Sequence, residues 1–305
     1  MKILSIGSDR NLFVAGSAVR ERVKGYAEKT DGYLVVVPGA GKPSITRVSE
    51  KLRVISLGRL QAFFWQPGEN FDLVTAQDPF ENGLTAWFLA RKCKAKLELQ
   101  IHTDLFSPYF VQHWMLNRVR VIIAKFLLPR ADHIRVVSNR IKESLINKLK
   151  IPESKIEVRP IFVDIEKIKN APVKIDLHKK YPQFGKIILM ASRLTKEKNI
   201  GLAIELMPKF LKQNPKTGLI IVGSGPEEKK LKAKSAKLKN NIIFEPWSDD
   251  LPSYYKTADL FLNTSWYEGY GMTLVEARAA GCPVLSTDVG VAREIGAKII
   301  SETIL

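Results

Sequence analysis

With 305 residues, 45% of them hydrophobic and 26% charged, the chain has the composition of a globular protein long enough for two domains. This excludes the disordered and fibrous classes. Its formal charge of +17 favours anionic partners, whether a charged ligand, an acidic membrane surface or nucleic acid. The two cysteines, Cys93 and Cys282, fit no metal-binding spacing and suit a reducing, cytoplasmic compartment. The opening run lacks the pattern of a secretory signal, and no apolar run reaches the length of a bilayer span.

Short apolar stretches alternate with helical patterns from end to end. The first half predicts strands at 2–6, 33–37, 53–57, 73–76, 95–101 and 133–137, with helices at 17–29, 83–92 and 139–150. A second series predicts strands at 186–191, 218–222, 241–244, 259–263 and 283–286, with helices at 200–213, 227–239, 251–257 and 273–280. Between the series, residues 163–184 are polar, contain Pro172 and Pro182, and read as an irregular linker. The expected fold class is therefore α/β, with two Rossmann-like domains, 1–168 and 169–305, built on parallel sheets covered on both faces.

The charge is uneven. The first 170 residues hold 28 basic and 17 acidic side chains, a net +11, and the remainder nets +6. Lysine-rich runs such as 229–239 also fit a plain solvated exterior. Residues 118–130, Arg-Val-Arg-Val-Ile-Ile-Ala-Lys-Phe-Leu-Leu-Pro-Arg, mix basic with bulky apolar side chains. They fit either a core helix with a basic outer edge or a surface helix resting on an anionic bilayer.

In open α/β sheets, ligands gather at the carboxyl ends of the strands. Arg193 and Lys198 follow the strand at 186–191 and offer a fork donor and a point charge to a diphosphate; a surface role fits them equally. Gly223 and Gly225 follow the strand at 218–222, where glycines permit close backbone approach or an ordinary tight turn. Glu268 and Glu276 bracket the run Glu-Gly-Tyr-Gly-Met-Thr-Leu-Val-Glu, which leads into a helix. Backbone N–H groups at such a start bind anions, and the carboxylates accept hydroxyls, a combination suited to a nucleotide-sugar.

These three loops, with Gly281-Cys282-Pro283 after them, resemble the donor domain of the retaining glycosyltransferases of family 4, also called group 1. Gln77-Asp78-Pro79, His102-Thr103-Asp104 and Val163-Asp164 extend the resemblance over essentially the whole chain. It implies the GT-B fold, two Rossmann-like domains facing each other across a cleft. It implies transfer of a sugar from a nucleotide diphosphate to an acceptor hydroxyl of a cell-surface glycan, glycolipid or lipid-linked sugar, with retained anomeric configuration. On that reading Arg193 and Lys198 neutralise the diphosphate in place of a metal, so no cofactor is expected. Glu268 meets the donor sugar and Glu276 the ribose. Gly269, Tyr270, Gly271, Met272 and Thr273 bind through their amides, with Gly223 and Gly225 close to the donor. His102 faces the sugar or acceptor, although a lone strand-end histidine also fits a structural role. Gly16, Asp78 and Asp104 fall on the acceptor side. The location implied is cytoplasmic, with an anionic inner membrane face as a candidate partner.

The chain departs from that pattern in places. Glu245-Pro246-Trp247 stands where the family has a glycine near the nucleobase, and Gly7-Ser8 and Gly16-Ser17 replace a double glycine. The second domain is expected to be truncated or unusually small at its C-terminal end. The alternative readings are a sugar-nucleotide epimerase of the same fold and a basic nucleic-acid-binding protein.

Overall fold

A computed structural model describes residues 1–300. The chain divides into one compact unit from Met1 to Arg159 and a second from Pro160 onward. The first unit contains β1 (Lys2–Ile6), α1 (Ala18–Ala27), β2 (Gly32–Pro38), β3 (Ser44–Arg47), β4 (Leu52–Leu57), α2 (Arg59–Phe64) and β5 (Leu73–Ala76). It continues with α3 (Glu81–Cys93), β6 (Lys96–Ile101), α4 (Pro108–His113), α5 (Met115–Leu127), β7 (His133–Val136), α6 (Asn139–Leu149) and β8 (Ile156–Val158).

The eight strands run in the order β3-β4-β2-β1-β5-β6-β7-β8, and every pairing is parallel except β3 with β4. The expected strands and helices appear, with β3, β8, α2 and α4 in addition. Sequence patterning missed β3 because Ser-Ile-Thr-Arg is short, exposed and carries its one apolar side chain outward. Strand order reverses between β1 and β5, where loops diverge and leave a crevice above the carboxyl ends.

The second unit comprises α7 (Ile165–Asn170), α8 (Leu177–Lys180), β9 (Lys186–Ala191), α9 (Ile200–Gln213), β10 (Thr217–Val222), α10 (Glu228–Lys234) and β11 (Ile242–Glu245). It ends with α11 (Leu251–Thr257), β12 (Leu260–Asn263), α12 (Met272–Ala279), β13 (Val284–Ser286) and β14 (Lys298–Ile299). Its parallel sheet has the order β11-β10-β9-β12-β13-β14, so its reversal lies between β9 and β12. Side chains of β9 alternate between two cores. Ile187, Leu189 and Ala191 join one face, and Ile188 and Met190 the other. This is why a strand buried on both sides reads as an unbroken apolar run.

The segment 163–184 is not an irregular linker. It holds α7 and α8, and buries Ile168, Leu177 and Phe184. Two polar residues cap these short helices: Asp164 accepts from the N–H of Lys167, and Asp176 from those of His178 and Lys179. A buried carboxylate ties α8 to the sheet. Glu245, at the end of β11, accepts from Lys180 Nζ at 2.7 Å, from Tyr254 Oη at 2.6 Å and from the Tyr181 hydroxyl. Burial opposes charge on Glu245, but these three donors outweigh it and hold its carboxyl below the usual range. Burial and Glu245 together push the Tyr181 phenol up to about 12.

Glu245→Gln should therefore destabilise the protein at neutral pH by about 1–3 kcal/mol, the range for hydrogen bonds to a charged group. Because the folded-state carboxyl titrates below its unfolded value, this contribution is complete above ~4.3 and disappears as pH falls through the depressed value. Urea unfolding of wild type and variant should show a gap that closes in acid.

Candidate functional site

The reversal between β9 and β12 makes two loops neighbours. One leaves β9 through Ser192, Arg193 and Lys198; the other leaves β12 through Thr264, Ser265 and Glu268. Lys198 Nζ lies 2.5 Å from Glu268 Oε1, and both side chains are only 17% exposed. Three backbone contacts fix the meeting. Thr264 Oγ1 donates to the carbonyls of Lys198 at 3.2 Å and Asn199 at 3.0 Å, and the Trp266 N–H donates to Glu197 O at 2.9 Å.

A buried polar network supports the pair from below. Ser265 Oγ sits 2.8 Å from both Glu268 Oε1 and Asn263 Oδ1. Asn263 Nδ2 donates to Ser286 Oγ at 3.0 Å, and Thr287 Oγ1 donates back to Ser265 O at 2.6 Å. With its partners satisfied, such a network holds Glu268 in one position. Sequence reasoning named Glu268 but missed Asn263, Ser265, Ser286 and Thr287. The available signal was a polar triplet, Asn263-Thr264-Ser265, closing an apolar strand.

Arg193 reaches Glu197 Oε1 at 3.7 Å and is 76% exposed, so its guanidinium projects from the same loop as Lys198. Gly223 and Gly225 lie against this loop. A Cβ on Gly223, whose φ is +146°, would come 1.9 Å from Ser192 O, and one on Gly225 would come 2.5 Å from Leu194 O. Glycine is what lets the turn after β10 pack on the Arg193 loop. Ser192 Oγ beneath it is buried without a hydrogen-bond partner.

Gly269, Tyr270 and Gly271 connect Glu268 to α12. Gly271, at φ +91°, is the N-cap of that helix and has no side chain to cap the amides that begin at Met272 and Thr273. Glu276, further along α12, accepts from Tyr255 Oη at 3.0 Å. The Tyr255 phenol is pushed well above its ordinary value by burial and then by Glu276. Gly290 backs the run from the other side: the Val291 N–H donates to Tyr270 O, and a Cβ on Gly290 would come 2.2 Å from that oxygen.

In the first unit, Asp78 stands at the β1–β5 reversal. Its carboxylate accepts from the Phe80 N–H at 2.9 Å and from Asn82 Nδ2, which also donates to Ser8 Oγ at 2.9 Å. Asp78 thus pins the start of α3 to the loop after β1. Burial raises its carboxyl above the ordinary range. His102 and Asp104 follow β6, and burial also raises Asp104. The His102 ring contacts Gln100 Oε1 at 3.3 Å. Desolvation, then Arg135 and Arg22, lower its pKa, so the imidazole is neutral at neutral pH. Gly16, at φ +74°, lies in the turn before α1 with open space where a Cβ would stand.

Comparison with known proteins decides the family. A model described as "Glycosyl transferases group 1" matches residues 175–298, and one described as "Glycosyltransferase Family 4" matches residues 20–167. The chain belongs to the group 1, family 4 glycosyltransferases. It is 27% identical over 229 residues to the alpha-monoglucosyldiacylglycerol synthase of Streptococcus pneumoniae, covering 70% of this chain and 51% of the relative. It is 36% identical over 110 residues to the lipopolysaccharide core biosynthesis mannosyltransferase LpsB of Rhizobium meliloti, covering 34% and 31%. The crystal structure of Anabaena HepE in complex with UDP superposes with a TM-score of 0.70 at 20% identity, over 96% of this chain and 82% of that one. The fold is therefore GT-B. The chain spans about half the length or less of the curated relatives it matches.

Two measurements test the site geometry. Gly290→Ala should destabilise the protein by at least ~1–3 kcal/mol in urea unfolding, since the added methyl collides with Tyr270 O and stands 3.1 Å from Glu268 Cβ. An NMR titration of His102 should give a midpoint below ~6.5, the ordinary imidazole value.

Proposed function

We propose that the protein transfers a sugar from a nucleoside diphosphate sugar to the hydroxyl of a glycan or lipid-linked acceptor, retaining the anomeric configuration without a metal. The observation that carries this reading is the Lys198–Glu268 pair on its buried network, beside the glycine-capped start of α12. Cation, carboxylate and helix amides all belong to one pair of neighbouring loops. That is the donor set a sugar diphosphate requires: positive groups for the phosphates and a carboxylate acceptor for sugar hydroxyls.

In the reaction the bond between the anomeric carbon and the diphosphate oxygen breaks as the bond to the acceptor oxygen forms on the same face. The acceptor proton passes to the departing phosphate. Negative charge grows on the leaving oxygens, where Lys198 and Arg193 stabilise it more in the transition state than in the ground state. Glu268 orients the sugar, and Glu276, positioned by Tyr255, accepts from ribose hydroxyls. Amides from Gly269 to Thr273 bind phosphate or sugar oxygens, and Gly223 and Gly225 admit the diphosphate close to the backbone. In the first unit His102 and Asp104 serve the acceptor, a neutral imidazole being a fit partner for a hydroxyl. Asp78 and Gly16 shape that side. The pneumococcal relative is named as the synthase of a glucosylated diacylglycerol, which favours a lipid hydroxyl as the acceptor here.

Isothermal titration with UDP, GDP and ADP should find one base preferred. Lys198→Ala should weaken that diphosphate about 10–100-fold, the loss expected for a charge-assisted contact. Glu268→Gln should leave nucleotide affinity within a few-fold and lower transfer about 100-fold. Equal affinity of wild type and Lys198→Ala for every diphosphate would refute the assignment.

A further inference from the structure

We infer that α5 and the basic hollow at its C-terminal end form a docking surface for an anionic phospholipid bilayer. The transfer reading does not enter this argument, because the residues concerned are outside the candidate site. Residues 114–130 pack one face of the helix inward, burying Asn117, Val121, Ala124 and Leu127. Asn117 Nδ2 donates to Phe110 O, and Arg120 Nε reaches Glu81 at 3.0 Å, so α5 is anchored to α4 and α3. The opposite face is apolar and open. Met115, Val119, Ile122 and Phe126 recur at i, i+4, i+7 and i+11, which places them on one stripe. Met115 is 85% exposed, Ile122 66% and the preceding Trp114 64%.

A stripe of this kind on a globular surface marks an interaction site. Charge identifies the partner. Residues 105–131 contain no acidic side chain but four basic ones, Arg118, Arg120, Lys125 and Arg130. Arg118 and Lys125 are exposed and lie on one border of the stripe. A second copy docking face to face would bring these like charges together, whereas an anionic surface accepts them. An in-plane helix with an apolar face and a cationic border has the form of an interfacial membrane anchor.

At the far end of the stripe lies a hollow of about 330 Å³ lined by Trp87, Arg91, Lys94, Arg130 and the single acid Asp132, among others. Aromatic contacts join it to the helix. Trp87 meets Phe126 edge-on at 5.4 Å, Arg91 lies over Trp87, and Arg130 lies 3.9 Å over Phe126. The apolar stripe would enter the acyl boundary while Arg91, Lys94 and Arg130 meet a lipid phosphate at headgroup level.

The test is sedimentation of the full chain with phosphatidylcholine vesicles, with and without phosphatidylglycerol, at low and high salt. Binding should require phosphatidylglycerol and weaken with salt. Val119→Ser with Ile122→Ser, both exposed positions, should lower partitioning at least about tenfold with unchanged circular dichroism. Arg91→Gln with Lys94→Gln should lower it by about fivefold per charge and flatten the salt dependence. Equal binding to both vesicle types, no binding, or unchanged binding by the serine variant would overturn the inference. So would size exclusion showing a wild-type dimer that the serine variant converts to a monomer, which would give the face to a second copy.

Discussion

Lys198 and Glu268 meet across 70 residues of sequence because β9 and β12 are adjacent strands whose connections run in opposite directions along the sheet. At such a reversal no crossover covers the carboxyl ends, so the two loops can lean together over an open edge. Everything at the candidate site follows from that arrangement. The polar triplet at the end of β12 ties the loops, Gly223 and Gly225 let a third loop close on the first, and Gly271 leaves the start of α12 without a side-chain cap.

The electrostatics are those of a paired and fixed site. Lys198 and Glu268 are mostly buried, and removing charges from water is costly unless partners compensate. Here each is the other's partner, and Ser265, which also contacts Asn263, adds a hydrogen bond to the carboxylate. The Glu245 cluster applies the same rule to a different end. Three donors on one buried carboxylate fasten α8 to the sheet, so the segment before β9 is part of the second unit's fold. Residues that read as hydrophilic spacing in sequence are there the means of attachment.

The first unit divides its chemistry between two edges of its sheet. Asp78, His102 and Asp104 lie in loops after β5 and β6, at the carboxyl ends of the strands. The hollow beside Arg91 and Arg130 lies where α3 ends and β6 begins, at the amino ends. Helix α5 connects the two, and its outer stripe runs between them. Basic charge concentrated in this unit therefore has a location on the surface, where the bare excess in the sequence had only a sign.

The sequence by itself determined the alternation of strands and helices, the parallel sheets and the loops that bear Arg193, Lys198 and Glu268. Those depend on local periodicity and on glycines at fixed offsets, and both are visible along one dimension. The tertiary structure alone decided which loops became neighbours, since strand order is not written in the order of the chain. It also decided that 163–184 is helical and docked, because Glu245 lies 65 residues from Lys180 and its three donors come from the end of α8 and from α11. The two faces of α5 could be separated only once its packing against α3 and α4 was fixed. Until then, a basic and apolar helix is compatible with a core and with a surface alike.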